Sequence, residues 1–152
     1  MKLIWLGHGS FRIEIEDQVL LIDPWVTGNP MMPDERIEEA LDGATQILMT
    51  HGHFDHTNDC VQLSKDRSLP VSGIFELVNL LESQGAVAGQ AFNKGGTAQF
   101  GKVSVSMVPA SHSSSMVVDG VAQYTGMETG FIIRGEGKTI YFSGDTTIMA
   151  DM

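Results

Sequence analysis

Short runs of alternating or continuous apolar residues mark the first part of the chain. Residues 11–16 alternate apolar with charged side chains, a period of two that predicts a half-buried strand. A turn at residues 7–10 pairs this strand with another at residues 2–6. The continuously apolar run at residues 19–22 predicts a further strand, and the run at 46–49, apolar after Gln46, predicts a buried one.

Helical spacing and turn residues organise the remainder. Residues 35–41 predict a short helix, and an apolar stripe that ends near Gly85 predicts a longer one; its members are Ile74, Leu77, Val78 and Leu81. The Asn-Lys-Gly-Gly segment at 93–96 predicts a hairpin turn, and strands then dominate, interrupted by a Ser- and Gly-rich loop at residues 111–126. This mixture predicts an α/β sandwich with mixed sheets in a single domain, residues 1–152.

The densest chemistry lies directly after the predicted strand at 46–49, in a loop that holds His51, His53, Asp55 and His56. Imidazole nitrogens and carboxylate oxygens are ligands that Zn²⁺ and similar divalent ions prefer. His51 and His53 are two residues apart and can converge on one ion, which leaves the other two residues for a second ion. A structural zinc site would normally use cysteine, and the chain has only Cys60, so a catalytic site fits better than a structural one. A histidine-rich surface loop that binds metal adventitiously is the alternative.

The order His-x-His-x-Asp-His closely resembles the signature of the metallo-β-lactamase superfamily, and two downstream segments are similar to its other parts. The predicted strand at 103–108 runs into a Pro-Ala-Ser-His segment that ends at His112, and a strand that begins at residue 139 ends in Gly-Asp-Thr, with Asp145 at its centre. Residues 6–10 and 21–25 resemble one branch of that superfamily, uncharacterised metal-dependent hydrolases related to sugar-phosphate lactonases.

The resemblance implies an α/β fold of the metallo-β-lactamase type, an αββα sandwich with two mixed β-sheets. It implies that His51, His53 and His112 hold one ion, that Asp55 and His56 hold a second, and that Asp145 bridges the two. Superfamily members carry a further histidine on a loop well beyond the Gly-Asp-Thr strand and continue past the length of this chain. We therefore expect the second half of the domain to be incomplete, with an open sheet edge and exposed apolar surface that favour a homo-oligomer.

The chemistry implied by these ligands is hydrolysis of a small-molecule substrate at a binuclear His/Asp site. Two divalent ions, Zn²⁺ first and Mn²⁺, Fe²⁺, Co²⁺ or Ni²⁺ as alternatives, would supply hydroxide by lowering the pKa of water from 15.7 to about 7. Asp55 would orient this nucleophile and pass its proton to the leaving group. The substrate classes that fit are lactones, cyclic esters, amides and phosphoesters.

Two other interpretations of the same ligand set remain as alternatives. One is a fragment that binds metal but does not turn over, because the second site lacks its histidine. The other is a di-iron oxidoreductase on the same fold, like the related flavodiiron proteins, which use Glu where this chain has His53; the histidine therefore favours hydrolysis.

Three residues outside the cluster have two interpretations each. His8 either contacts substrate or is a hydrogen-bonded turn residue. Asp23 either steadies a ligand histidine or serves the turn before Pro24. Cys60, on a helix expected to begin near Thr57, is interpreted as a buried packing thiol rather than a reactive one.

Charge, hydropathy and cysteine content limit the classes of partner and the cellular location that we expect. The formal net charge of −10 and the pI near 4.7 argue against a nucleic-acid backbone as partner, which usually requires a basic face. No stretch approaches the roughly 20 apolar residues of a membrane span, and the N-terminus shows no secretory signal pattern. With one cysteine the chain forms no intrachain disulfide, and we expect a cytoplasmic location.

Overall fold

Six strands form the larger sheet of the protein, for which a computed structural model describes all 152 residues. They lie side by side in chain order: β1 (Lys2–Gly7), β2 (Ser10–Ile15), β3 (Gln18–Ile22), β4 (Gln46–Met49), β5 (Pro70–Ile74) and β6 (Val87–Phe92). The first three are antiparallel, and β3 to β6 are parallel. After their first residue, a glutamine in each, strands β3 and β4 are apolar, and the last three residues of each are buried because both faces of the sheet are covered there.

The remaining strands form a second sheet and a separate hairpin. In chain order they are β7 (Thr97–Phe100), β8 (Val103–Pro109), β9 (Ser115–Val118), β10 (Val121–Tyr124), β11 (Thr129–Gly135) and β12 (Lys138–Phe142). The second sheet has the order β12-β11-β8-β7, and all its pairs are antiparallel, so the expectation of two mixed sheets is wrong for this one. Parallel neighbours need a crossover connection, usually through a helix. No helix lies between β7 and β12 in the chain.

Four helices accompany the sheets: α1 (Ile37–Leu41), α2 (Phe54–Thr57), α3 (Cys60–Arg67) and α4 (Phe75–Ser83). The helix predicted at 35–41 forms, although its first turn is a 3₁₀ turn over Asp34–Arg36. Helices α3 and α4 pack on β5, and α4 buries Leu77, Val78 and Leu81, three members of the expected stripe. The fourth, Ile74, is the last residue of β5 and not part of the helix. None of the four is both long enough and apolar enough to span a membrane.

The core lies between the two sheets. Ile13 and Ile15 on β2 and Val105 and Met107 on β8 are fully buried in one continuous apolar cluster. The rings of Phe11 and Phe142 meet edge to face across the sandwich, with their centroids 5.5 Å apart. The predicted α/β sandwich is therefore confirmed.

Two expected connections differ in the structure. The turn at residues 93–96 links β6 to β7, which belong to different sheets, so it does not close a hairpin. Its Gly95 N–H donates instead to the Met107 carbonyl oxygen, 2.9 Å away, which ties the turn to β8. The expected loop at 111–126 contains the hairpin β9–β10, whose turn residues Asp119 and Gly120 both adopt positive φ, as a two-residue hairpin turn requires.

Candidate metal centre

Five loops meet at one edge of the sandwich and bring together the eight residues that the sequence assigns to metal binding, substrate contact or support of a ligand. Asp23 follows β3, and the residues from His51 to His56 follow β4. Because β3 and β4 are parallel neighbours, their carboxyl ends lie side by side. The loops after β8 and β12 add His112 and Asp145, and the turn between β1 and β2 adds His8.

Three histidines form the first group of donors. One ring nitrogen each from His51, His53 and His112 lies within 4.8 Å of the other two. Nε2 of His51 faces Nδ1 of His53 at 3.1 Å, and the ring of His112 is 5.3 Å and 5.0 Å from the rings of His51 and His53. Nε2 of His53 also contacts the Ser113 hydroxyl at 3.2 Å. Three converging imidazoles of this kind can hold one divalent ion and leave a position open.

A second group adjoins the first. Nε2 of His56 lies 3.5 Å from Oδ2 of Asp145, and Nε2 of His112 lies 3.9 Å from the same oxygen. The Asp145 carboxylate therefore stands between a histidine of each group. On the other side, Nε2 of His8 is 2.9 Å from Oδ2 of Asp55. Donor atoms of His8, Asp55 and His56 lie within 4.8 Å of one another.

The buried nitrogen of His56 tests whether these residues suit a metal. Only 1% of this residue is exposed, and its Nε2 has no hydrogen-bond partner. An unpartnered buried polar atom of this kind costs about 1–3 kcal/mol. A divalent ion between His56 and Asp145 would remove that cost, so the donor set fits a bound metal.

Asp23 sets the hydrogen-bond pattern beneath both groups. Its Oδ2 accepts from Nδ1 of His56 at 2.9 Å and also from the Thr50 hydroxyl. Since that hydroxyl has given its one hydrogen to Asp23, it accepts from Nδ1 of His51, 2.9 Å away. Both imidazoles then carry their proton on Nδ1 and direct the Nε2 lone pair into the cluster, the form a metal ligand needs. Asp23, His51 and His56 are close enough to form a donor group themselves, but the oxygens of Asp23 are engaged by Thr50 and His56.

Burial and charge separate the pKa values of these histidines. Burial disfavours the imidazolium and lowers the pKa of His51 to about 4. Burial and the neighbouring His112 lower the pKa of His53. Burial acts in the same sense on His56, but the hydrogen bond and charge of Asp23 outweigh it and raise the pKa of this residue, with Asp145 and Asp55 adding to the effect. His56 thus occupies a position that attracts positive charge.

Small residues and hydroxyls that the sequence did not single out hold the loops in place. A Cβ on Gly9 would lie 2.7 Å from Cε1 of His56, so the β1–β2 turn packs directly on that ring. The Gly52 N–H donates to the Ser114 hydroxyl, which bonds in turn to Thr125. Thr129 donates twice to the Thr50 carbonyl oxygen, from its backbone and from its hydroxyl. Serines and threonines are common in loops, so the sequence alone could not identify these as residues that hold the site together.

Two clefts adjoin the centre. The larger, about 570 Å³, opens beside His53 and Asp55 and is bordered by Phe54, Val61 and Met116. The smaller, about 240 Å³, reaches His56 and Asp145 between the β1–β2 turn and the end of β12. No Lys or Arg side chain lines either cleft.

Known proteins share the segments that carry these candidate ligands. The family model for the beta-lactamase superfamily domain matches residues 18–152. A UPF0173 metal-dependent hydrolase of Cereibacter sphaeroides is 58% identical over 152 residues, which are 100% of this chain and 66% of that protein. The chain thus spans about two thirds of the length of the curated relatives it matches.

Solved structures share the fold. Igni18, described as a novel metallo hydrolase of Ignicoccus hospitalis, superposes with a TM-score of 0.79 and 27% identity, covering 98% of this chain and 62% of Igni18. CmlA, a diiron beta-hydroxylase of Streptomyces venezuelae, superposes with a TM-score of 0.74 and 21% identity, covering 99% of this chain and 30% of CmlA.

Proposed function

This chain belongs to the beta-lactamase superfamily, and we propose that it is a metal-dependent hydrolase with a binuclear site. The observation that carries the proposal is the pair of donor groups that meet at Asp145, one of them containing the buried, unpartnered Nε2 of His56. The names of its relatives as metal-dependent hydrolases support the reaction class.

The residues divide into two metal positions. His51, His53 and His112 would hold the first ion; Asp55 and His56 would hold the second; Asp145 would bridge. Zn²⁺ is the favoured ion because imidazole and carboxylate ligands suit it, and Mn²⁺, Fe²⁺, Co²⁺ and Ni²⁺ are the alternatives. When bound, such ions polarise the bond under attack and lower the pKa of water from 15.7 to about 7.

The chain's own side chains supply orientation and proton transfer. By accepting from Nδ1, Asp23 fixes the tautomer of neutral His56 that has its lone pair on Nε2, and it does the same for His51 through Thr50. The Asp55 carboxylate would orient the attacking water and carry its proton to the leaving group. Phe54 and Met116 would limit water in the larger cleft, where substrate would bind beside His53.

The cleft lining bears on the substrate class. Phosphoester substrates are usually met by Arg or Lys side chains that pair with the phosphate. Because the clefts beside the centre are lined by neither, we favour lactones, cyclic esters and amides over phosphoesters. The acidic character of the chain, with a net charge of −10, agrees with a neutral substrate.

The likeness to CmlA concerns the fold alone, at 21% identity. His53 still favours hydrolysis over di-iron oxidation, because it takes the position at which the related flavodiiron proteins carry Glu.

The test is turnover by the metal-loaded chain. The protein would be reconstituted with Zn²⁺ or Mn²⁺ and assayed on a panel of lactones, aryl esters, amides and phosphodiesters, with His53→Ala as the matched variant. We expect metal-dependent hydrolysis of an uncharged acyl substrate that His53→Ala lacks. Turnover that survives both a chelator and the His53→Ala change would contradict the proposal, as would metal-loaded protein that hydrolyses none of the panel.

A further inference from the structure

We propose that His8 is a ligand of the second metal position, so that His8, Asp55, His56 and Asp145 complete that position within this chain. The inference rests on the binuclear site proposed above and deepens it. The β1–β2 turn would then supply a metal ligand in addition to those from the loop after β4.

The backbone of His8 is held in a conformation that a histidine rarely adopts. Its φ is +50°, in the left-handed region, where a residue with a Cβ is strained. Such strain persists where the surroundings fix the conformation, and it concentrates at functional sites. Here the Trp5 indole N–H donates to the His8 carbonyl oxygen at 2.8 Å, and the Trp25 ring packs edge to face on the imidazole at 5.6 Å. Trp5 thus holds the backbone of His8, and Trp25 restricts where its imidazole can lie.

The His8 imidazole is thereby directed at the second group of donors. Its Nε2 lies 2.9 Å from Oδ2 of Asp55, and its ring centroid is 5.2 Å from that of His56. One donor atom from each of these three residues lies within 4.8 Å of the other two. The side chain of His8 is 39% exposed, so a metal position beside it stays accessible to water or substrate.

A separate observation points to an ion at this place. Nε2 of His56 is buried and has no partner, although Oδ2 of Asp145 is 3.5 Å away. The hydrogen bond from Nδ1 of His56 to Asp23 fixes the orientation of the ring. Rotation of the ring toward another partner for Nε2 would break that bond. A cation between His8, Asp55, His56 and Asp145 would satisfy the nitrogen. Two imidazoles and two carboxylates suit a divalent ion in both ligand type and charge.

Two other roles for His8 predict different behaviour. A substrate contact would place it on a cleft wall, but His8 lines neither of the clefts beside the centre. A purely hydrogen-bonding role toward Asp55 would be met equally well by a glutamine, whose amide N–H donates but whose oxygen and nitrogen bind divalent metals weakly. His8→Gln therefore separates a ligand from a hydrogen-bond donor.

The experiment is a stepwise titration of metal-free protein with Co²⁺, followed by visible absorption and by elemental analysis after dialysis. The variants are His8→Gln and His8→Gly, the second of which relieves the left-handed strain. Asp119→Gly is the matched control, because Asp119 has a similar φ of +52° in the exposed β9–β10 turn. Circular dichroism would establish that all four proteins are folded.

We expect two Co²⁺ ions per chain in the wild type and in Asp119→Gly, and one in both His8 variants. The affinity for the second ion should fall by more than the roughly 10–100-fold that loss of an outer partner costs. Two ions in the wild type and two in His8→Gln, with similar affinity, would overturn the role of His8 and leave the binuclear site standing. Fewer than two ions in the wild type would overturn both, because this chain would then not supply a complete second position.

Discussion

Asp23 accepts a hydrogen bond from Nδ1 of His56 at 2.9 Å, while both residues are almost wholly buried. The same carboxylate accepts from the backbone N–H of Thr50 at 2.8 Å and from its hydroxyl, which in turn accepts from His51. One carboxylate therefore orients a histidine in each of the two donor groups. This arrangement makes Asp23 the residue through which the two proposed metal positions are linked below the surface.

Asp23→Asn is expected to weaken metal binding about 10–100-fold, the usual cost of losing such an outer partner. The amide would present a donor to either His56 or Thr50, and so would disturb the proton positions on the ligands. Isothermal titration of the metal-free protein with Zn²⁺ measures the change. Asp59→Asn is the matched control, since Asp59 is a buried carboxylate that accepts from the Val26 and Thr27 N–H groups and contacts no histidine. Equal losses in the two variants would mean that Asp23 acts only through stability.

Asp55→Asn is expected to reduce kcat by about 10²–10⁴-fold, the range typical of losing a general acid or base. The amide keeps the shape of the side chain but cannot take up a proton. Metal content must be measured on the same preparations, with the exposed Asp66→Asn on α3 as control. Full turnover by Asp55→Asn with both ions bound would contradict the proton-transfer role.

Metal release on acidification should occur in two stages. Binding requires neutral imidazole, so protons compete with the ion wherever the pKa is high. The pKa of His56 is raised by Asp23 against the effect of burial, whereas burial lowers that of His51 to about 4. As pH falls through the range in which histidines titrate, the ion at His56 should therefore dissociate before the ion at His51. Co²⁺ absorption against pH records the order, and earlier loss of the ion at the three-histidine position would contradict the assignment.

The Cys60 thiol is expected to be inert in the folded protein. It is fully buried, and burial raises its pKa far above the usual range, so almost no thiolate forms at neutral pH. Ellman's reagent should find no reactive thiol in the native state and one per chain in guanidinium chloride. Gln62→Cys, at an exposed position on the same helix, should react at once in the native state. Rapid reaction of the native wild type would show that α3 opens readily.

Local sequence patterns predicted much of this fold for a physical reason. Strands such as β4 and β8 have one or both faces in the core, so their burial appears as a continuous or alternating apolar pattern. The hairpin β9–β10 lies at the surface, and every residue of β10 is exposed. Its sequence therefore shows no alternation of apolar and polar residues that would predict a strand. Its Asp119-Gly120 turn is the one signal that could have identified it.

The cluster after β4 was visible in the sequence because its four donors are nearly contiguous. The partners of these donors were not, because they depend on long-range geometry. The bond from His56 to Asp23 requires that β3 and β4 pair in parallel, and the contact between His8 and Asp55 requires a left-handed residue in the β1–β2 turn. Neither condition follows from the residues around it.

Metal content per chain is the measurement that shows whether this chain assembles a binuclear centre. Elemental mass spectrometry after dialysis against Zn²⁺ and then against metal-free buffer would be applied to the wild type and to His53→Ala, with protein concentration measured on the same samples. We expect close to two ions per wild-type chain and a loss of at least one in the variant. One ion or none in the wild type, or the same content in both proteins, would contradict this expectation.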